Sequence, residues 1–252
     1  MAGEDYTKLF LIFRIDFLKG FSKMQHAYYS PSGADLWLNC EGGHFFNSTI
    51  KDDGKFEKYA KEGTALHDYA HAYLDAFKNS GEKDLLNFKL DNGIDFSKEK
   101  FLKPYFEFIA EKIKTVIDWK VEDKVIFCSD VWGTSDLILF YENEIEIVDL
   151  KTGFHEVQAK NNNQLMVYAL AAMKTYELSP AKITMTIVQP KLNKISRCTK
   201  KTSIVLKFGK TVEKRIEVLN DLNKGKMELK TGSYCRFCRG NENCPLYKKF
   251  LL

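Results

Sequence analysis

The stretch GTSDLILFYENEIEIVDLK, residues 133–151, decides the fold. Two β-rich runs, Asp136–Tyr141 and Ile145–Leu150, flank the polar turn Glu142-Asn143-Glu144, the pattern of an antiparallel hairpin. Alternate residues of a strand share a face, so Asp149 and Lys151 point the same way. Closing the hairpin across residues 142–144 brings Asp136 beside Asp149. Two carboxylates and one ammonium then converge at one end of a sheet.

Outward from the hairpin, Lys120–Cys128 alternates apolar and polar in its middle and predicts a preceding strand, giving a meander. Downstream, a helix over 162–178 leads to a strand at Lys182–Val188 that Pro190 closes. Ile204–Phe208 reads as a further strand and Thr211–Asn223 as a charged amphipathic helix. Upstream, Ser30-Pro31-Ser32-Gly33 supplies caps for a short helix at Ala34–Asn39. Residues 41–60 read as a polar loop. Helices are predicted over Gly63–Phe77, where apolar residues recur at three and four, and over about Ser97–Trp119. Residues 1–23 carry no motif and read as an N-terminal extension of unknown role. Helix, helix, three strands, helix, strand and accessory pieces predict one α/β domain over residues 24–252.

The composition fits a globular chain. Of 252 residues, 44% are apolar and 29% charged, which excludes disorder as the main state. No apolar run reaches the roughly 18 residues that cross a bilayer, so a membrane partner is not expected. The net charge of +4 hides an asymmetry: residues 181–252 carry 17 Lys/Arg against 5 Asp/Glu, and residues 1–180 carry 21 against 29. A basic C-terminal third on an acidic body suggests a polyanionic partner. The apolar run Leu9–Phe13 is short, is followed by Arg14 and Asp16, and lacks a cleavage site for secretion. The six cysteines are too few and too uneven for a disulfide scaffold, and the expected compartment is reducing cytoplasm.

The convergent set at the hairpin suits phosphodiester hydrolysis, in which an anionic nucleophile must approach an anion. Mg²⁺ takes one or two carboxylates and keeps waters and phosphates as its other ligands. It acidifies a bound water and neutralises developing charge, while Lys151 orients the water or stabilises the transition state. Gln164 and Tyr168, at i and i+4, share one helix face and are placed to brace the lysine or touch a nucleic-acid backbone. His67 is a candidate metal ligand or phosphate contact, and Glu122 an accessory acid. His67-Asp68-Tyr69-Ala70-His71 loosely mimics a zinc-protease helix, but that mechanism wants Glu where Asp68 stands.

Cys235-x-x-Cys238-x₅-Cys244-Pro245 places three thiols within ten residues, a spacing for zinc or an iron–sulfur cluster. Cys40, 195 residues before Cys235, is the natural fourth ligand. Cys128 reads as a small buried apolar residue and Cys198 as a bystander.

Gly63…His67, Gly133-Thr134-x-Asp136, Asp149-x-Lys151 and Gln164-x-x-x-Tyr168 occur in this order and spacing. Together they resemble the PD-(D/E)XK nuclease superfamily, and within it the RecB-like exonucleases of the phage-encoded type. Ser30-Pro31-Ser32-Gly33-Ala34 through Trp37-Leu38-Asn39-Cys40, and Asn163 through Leu170, are similar to that group's own phrases. The resemblance runs from about His26 to Tyr247. It implies an αβββαβ core with a mixed sheet and Mg²⁺- or Mn²⁺-dependent DNA cleavage. Asp136, Asp149 and the Leu150 carbonyl would hold the metal, with His67 as an added ligand and Lys151 as the catalytic lysine. The segment Thr152-Gly153-Phe154-His155 departs from the phage type in being less basic and less glycine-rich. The cysteine pattern resembles the [4Fe–4S] staple of AddB-type and CRISPR-associated exonucleases, with Cys₄ zinc the alternative that spacing leaves open. Expected partners are DNA and a helicase or single-strand annealing protein, since no Gly-x₄-Gly-Lys-Ser/Thr motif is present. The expected setting is a phage or prophage gene product in the bacterial cytoplasm, used in DNA recombination or processing. A silent DNA-binding module of the same fold and a zinc-stabilised interaction domain are the competing readings.

Overall fold

Seven helices and five strands organise the described residues of the computed structural model, which are 27–50, 57–89, 96–221 and 227–250. The extension read over residues 1–23 lies outside them. In chain order the helices are α1 (Ala34–Asn39), α2 (Glu41–Thr49), α3 (Glu57–Ser80), α4 (Phe96–Lys112), α5 (Asn163–Thr175), α6 (Thr202–Asn220) and α7 (Pro245–Phe250). The strands are β1 (Asp118–Cys128), β2 (Val131–Phe140), β3 (Glu144–Leu150), β4 (Lys182–Gln189) and β5 (Lys194–Lys201). They form one mixed sheet in the order β1-β2-β3-β4-β5. β1 to β3 are an antiparallel meander, β3 and β4 run parallel, and β5 returns antiparallel to β4.

A parallel neighbour demands a crossover, and α5 supplies it. This helix is buried without a break from Leu165 to Met173, because it lies between the sheet and α6. Ile138, Ile145, Ile147, Ile183, Met185 and Ile187 pack beneath it, and Val205 and Val212 of α6 close the layer. The opposite sheet face presents Leu137, Leu139, Val148, Leu150 and Val188 to α3 and α4, which bury Leu66, Leu74, Phe77, Leu102 and Ile109 there. The architecture is thus helices, sheet, helices. Among the described residues no helix is long and apolar enough to cross a membrane.

Three readings of the sequence are corrected. Residues 41–49, expected as loop, form α2. Its glycines look like breakers but answer to packing: a Cβ on Gly42 would lie 2.2 Å from Leu229 Cδ2, and one on Gly43 2.5 Å from Leu36 Cδ1. Ile204–Phe208, expected as a strand, lies inside α6. The strand is instead the lysine-rich β5, an edge strand whose polar residues carry no apolar signal. The helix expected to reach Trp119 ends at Lys112, and Trp119 pairs with Leu139 in the sheet.

Candidate active site

β1 and β2 change faces partway along their length. Trp119 and Val121 pack toward α3 and α4, whereas Val125 and Phe127 pack toward α5. In β2, Val131 packs toward α5 while Leu137 and Leu139 pack toward α3 and α4. Pairing runs from Asp118↔Phe140 to Val121↔Leu137, resumes at Asp123↔Ser135, and leaves Glu122 opposite Asp136 between them. Glu122 has φ 46°, a left-handed conformation that non-glycine residues rarely adopt. The break lets both acids meet His67 from the middle of α3, and the ligand atoms of His67, Glu122 and Asp136 all lie within 4.8 Å of one another.

Asp136 has two engagements. Its Oδ1 is 3.4 Å from His67 Nδ1, and its Oδ2 accepts the Leu150 N–H at 2.7 Å. On extended backbone that bond also turns the Leu150 carbonyl toward β2. Asp149, on β3, accepts Gln164 Nε2 at 2.8 Å and Lys151 Nζ at 3.2 Å through Oδ1. Lys151 Nζ also donates to Gln164 Oε1 at 3.0 Å. Gln164 therefore locks carboxylate and ammonium together from the first turn of α5, which Asn162 caps by accepting the Leu165 N–H at 3.0 Å. Asp149 Oδ2 lies 3.0 Å from Lys151 Nζ, yet this buried atom makes no hydrogen bond among the described residues. Its charge is met by that ammonium.

Tyr168, one turn after Gln164, is nearly buried and close enough to feel it electrostatically. Its ring explains Gly133. A Cβ there would lie 2.8 Å from Pro31 Cδ and 3.2 Å from Tyr168 Cε1, so the glycine that opens Gly-Thr-x-Asp is a packing requirement.

The charges act on one another. Burial pushes the Asp149 carboxyl up, Lys151 opposes this, and Asp136 adds to it. Burial disfavours the Lys151 ammonium, but Asp149 and then Asp136 outweigh it and hold the group above the usual lysine range. Burial likewise works against charge on His67, and the Asp136 bond lifts the imidazole above its ordinary value. Glu122 is raised by burial and by Asp136.

All seven side chains singled out from sequence, His67, Glu122, Asp136, Asp149, Lys151, Gln164 and Tyr168, are thus brought to one region. His71 and Asp68 reach Glu122 electrostatically. Gln189 was not foreseen. Buried at the end of β4, it accepts the Val157 N–H and donates to the His155 carbonyl, both at 2.8 Å, and so fastens the loop that follows Lys151. Its signal was the one that marked Asp149: a polar residue ending an apolar strand.

The cysteines assemble separately. Cys40 caps α2 and accepts the Gly43 N–H at 3.3 Å, and Cys235 accepts the Gly232 N–H at 3.3 Å. Cys238 is pushed up to about 11 by burial, with Cys40, Cys235 and Cys244 adding to the shift. Cys235 and Cys238 are thus each within electrostatic reach of Cys40 and Cys244, although among the described residues no three of the thiols gather within 4.8 Å. Surrounding contacts stitch the two chain ends together. Glu41 pairs with Arg215 at 3.1 Å and accepts the Glu228 N–H at 2.6 Å. The Arg239 N–H donates to Asn47 Oδ1 at 2.8 Å. Cys128 and Cys198 stay apart in the sheet.

These features define a mixed α/β protein whose sheet carries a carboxylate-rich, lysine-bearing site between two helical layers. The chain belongs to the family described as "Protein of unknown function (DUF2800)", whose pattern matches residues 26–251. A solved structure described as "Crystal structure of SSO0001" is similar at 15% identity and a TM-score of 0.43, over 96% of this chain and 96% of that one.

Proposed function

We propose that the protein is a divalent-metal-dependent deoxyribonuclease with a PD-(D/E)XK core, an exonuclease of the RecB-like type serving phage or prophage DNA recombination or processing. One observation carries the reading: Asp136, Asp149, Lys151 and Gln164 form one convergent polar set at the end of a β hairpin, with His67 and Glu122 facing Asp136. The donor set suits Mg²⁺ or Mn²⁺, being rich in hard oxygen ligands. Asp136, Asp149, the Leu150 carbonyl and His67 would hold the ion, with Glu122 as an accessory. When bound, the cation supplies charge neutralisation at phosphate and a more acidic water.

The chain's own residues do the rest. Lys151 orients the attacking water or helps deprotonate it, and stabilises negative charge on the phosphoryl oxygens. Gln164 fixes the Lys151 rotamer, and Tyr168 braces Gln164. Lysines of the basic C-terminal third attract the DNA backbone with a marked salt dependence. Unwinding driven by ATP belongs to a helicase partner.

Cys40, Cys235, Cys238 and Cys244 are read as ligands of a structural [4Fe–4S] cluster, with zinc as the alternative. The backbone N–H groups aimed at Cys40 and Cys235 suit thiolate ligands of either kind.

The test is Lys151→Ala, compared with the parent on end-labelled DNA in Mg²⁺ and in Mn²⁺. Loss of cleavage with retained DNA binding and an unchanged circular dichroism spectrum is expected. Undiminished cleavage would remove the site from the reaction. Binding without cleavage by the parent in both metals would favour a silent DNA-binding module.

A further inference from the structure

Beyond Lys151 the chain runs Thr152-Gly153-Phe154, and the Phe154 side chain is 70% exposed. An aromatic ring gains nothing from the core in that position, yet its surroundings are organised. Lys191 Nζ sits 4.5 Å from the ring centroid. That lysine is itself only 14% exposed, being ion-paired to Glu62 at 2.7 Å and close to the Phe101 ring. Gln189 holds the same loop at residues 155 and 157. The loop meets α3 one turn before His67, where a Cβ on Gly63 would lie 3.3 Å from Thr152 Oγ1. The ring is therefore presented at the lip of the site on a fastened loop, with a cation over one face.

Three residues of chain span at most about 10 Å. Phe154 is thus within a few nucleotides of any phosphate that Lys151 contacts. A built cation against the aromatic face keeps the ring in place. Every base has a π-face, so a single exposed ring serves strands of any sequence.

We propose that Phe154 is a stacking platform for a nucleobase near the phosphate held at the carboxylate–lysine site, which makes it a substrate-positioning residue. The proposal rests on the nuclease reading for what the site holds, but it is tested without cleavage. Oligonucleotides carrying 2-aminopurine at successive positions from one end are bound in buffer with EDTA. The parent protein is expected to quench the probe at one or two positions. Phe154→Ala should lose that quenching and bind about tenfold more weakly, whereas Phe154→Trp should keep both. Replacing the base at the quenched position with an abasic residue should erase the difference between Phe154→Ala and the parent. Because the ring is exposed, these variants are expected to melt as the parent does. Equal binding and equal quenching by parent and Phe154→Ala at every position overturn the platform, as does a parent that does not bind DNA. Quenching by a parent that cuts nothing in Mg²⁺ or Mn²⁺ leaves the platform standing and overturns the nuclease reading. Cleavage that proceeds with no change in Phe154→Ala does the reverse.

Discussion

One short stretch of chain, Asp136 to Tyr168, supplies most of the polar groups of the carboxylate–lysine site, whereas the cysteine end draws Cys40 to Cys235 across 195 residues. The first is embedded in a sheet held by two apolar layers and would keep its geometry without its polar groups. The second has little apolar support of its own and relies on stitches such as Glu41 to Arg215 and Asn47 to Arg239. The comparison separates two jobs. On the proposed reading, buried charges at the hairpin end would do the chemistry and contribute little to the fold, since pairing them offsets the desolvation they suffer. On the same reading the cysteines would close the fold and take no part in the reaction.

That division predicts opposite outcomes for two variants. Asp149→Asn preserves shape and is expected to slow metal-dependent cleavage by at least about a thousandfold. It should also abolish the rise in melting temperature expected of the parent in Mn²⁺, since a metal that binds only the folded site stabilises it. Thermal melts and single-turnover assays check both, and a thousandfold loss accompanied by unfolding would blur the division.

Cys235→Ser is expected to do the converse, losing iron, visible absorbance and stability together. Releasing a tie across so long a loop costs about 5 kcal/mol by loop-closure entropy. Urea unfolding with metal analysis reads this, with Cys128→Ser and Cys198→Ser as controls expected to keep the iron. Full stability in iron-free Cys235→Ser would show that the stitches suffice without the cysteines.

A smaller effect concerns His44, on α2 near the cysteine end. Its ring packs against Tyr28 and Tyr29, its Nε2 is buried without a hydrogen bond among the described residues, and burial, with Arg215 adding to it, lowers its pKa to about 4. Here the unfolded chain binds the proton more tightly, so the stability is fully present above about pH 6.5 and is lost as pH falls toward 4. The loss is on the order of 3 kcal/mol. Urea midpoints measured between pH 7 and pH 4 should fall steeply for the parent and less for His44→Phe. Equal slopes would assign the acid sensitivity elsewhere.

The same contrast governs what could be read from the chain. Asp136, Asp149, Lys151, Gln164 and Tyr168 were legible because strand period two and helix spacing of four are local rules. The short helix over Ala34–Asn39 and the meander were legible for the same reason. α2 was not, because Gly42 and Gly43 weaken a helix locally and are demanded by Leu229 and Leu36, of which one lies far along the chain. β5 was missed because an edge strand of Lys194 to Lys201 shows solvent, not core, on both faces. Its neighbour α6 begins with β-branched residues that mimic a strand, and the burial of Val205 and Val212 overrides them. Glu122 was named only as an accessory, since a left-handed kink facing Asp136 has no sequence signature.

The most direct test of the central claim is digestion of end-labelled single- and double-stranded DNA by anaerobically purified protein, in Mg²⁺, in Mn²⁺ and in EDTA. Progressive loss of labelled DNA in either metal, with none in EDTA and none for Lys151→Ala, is the predicted result. DNA left intact by the parent protein in both metals would contradict it.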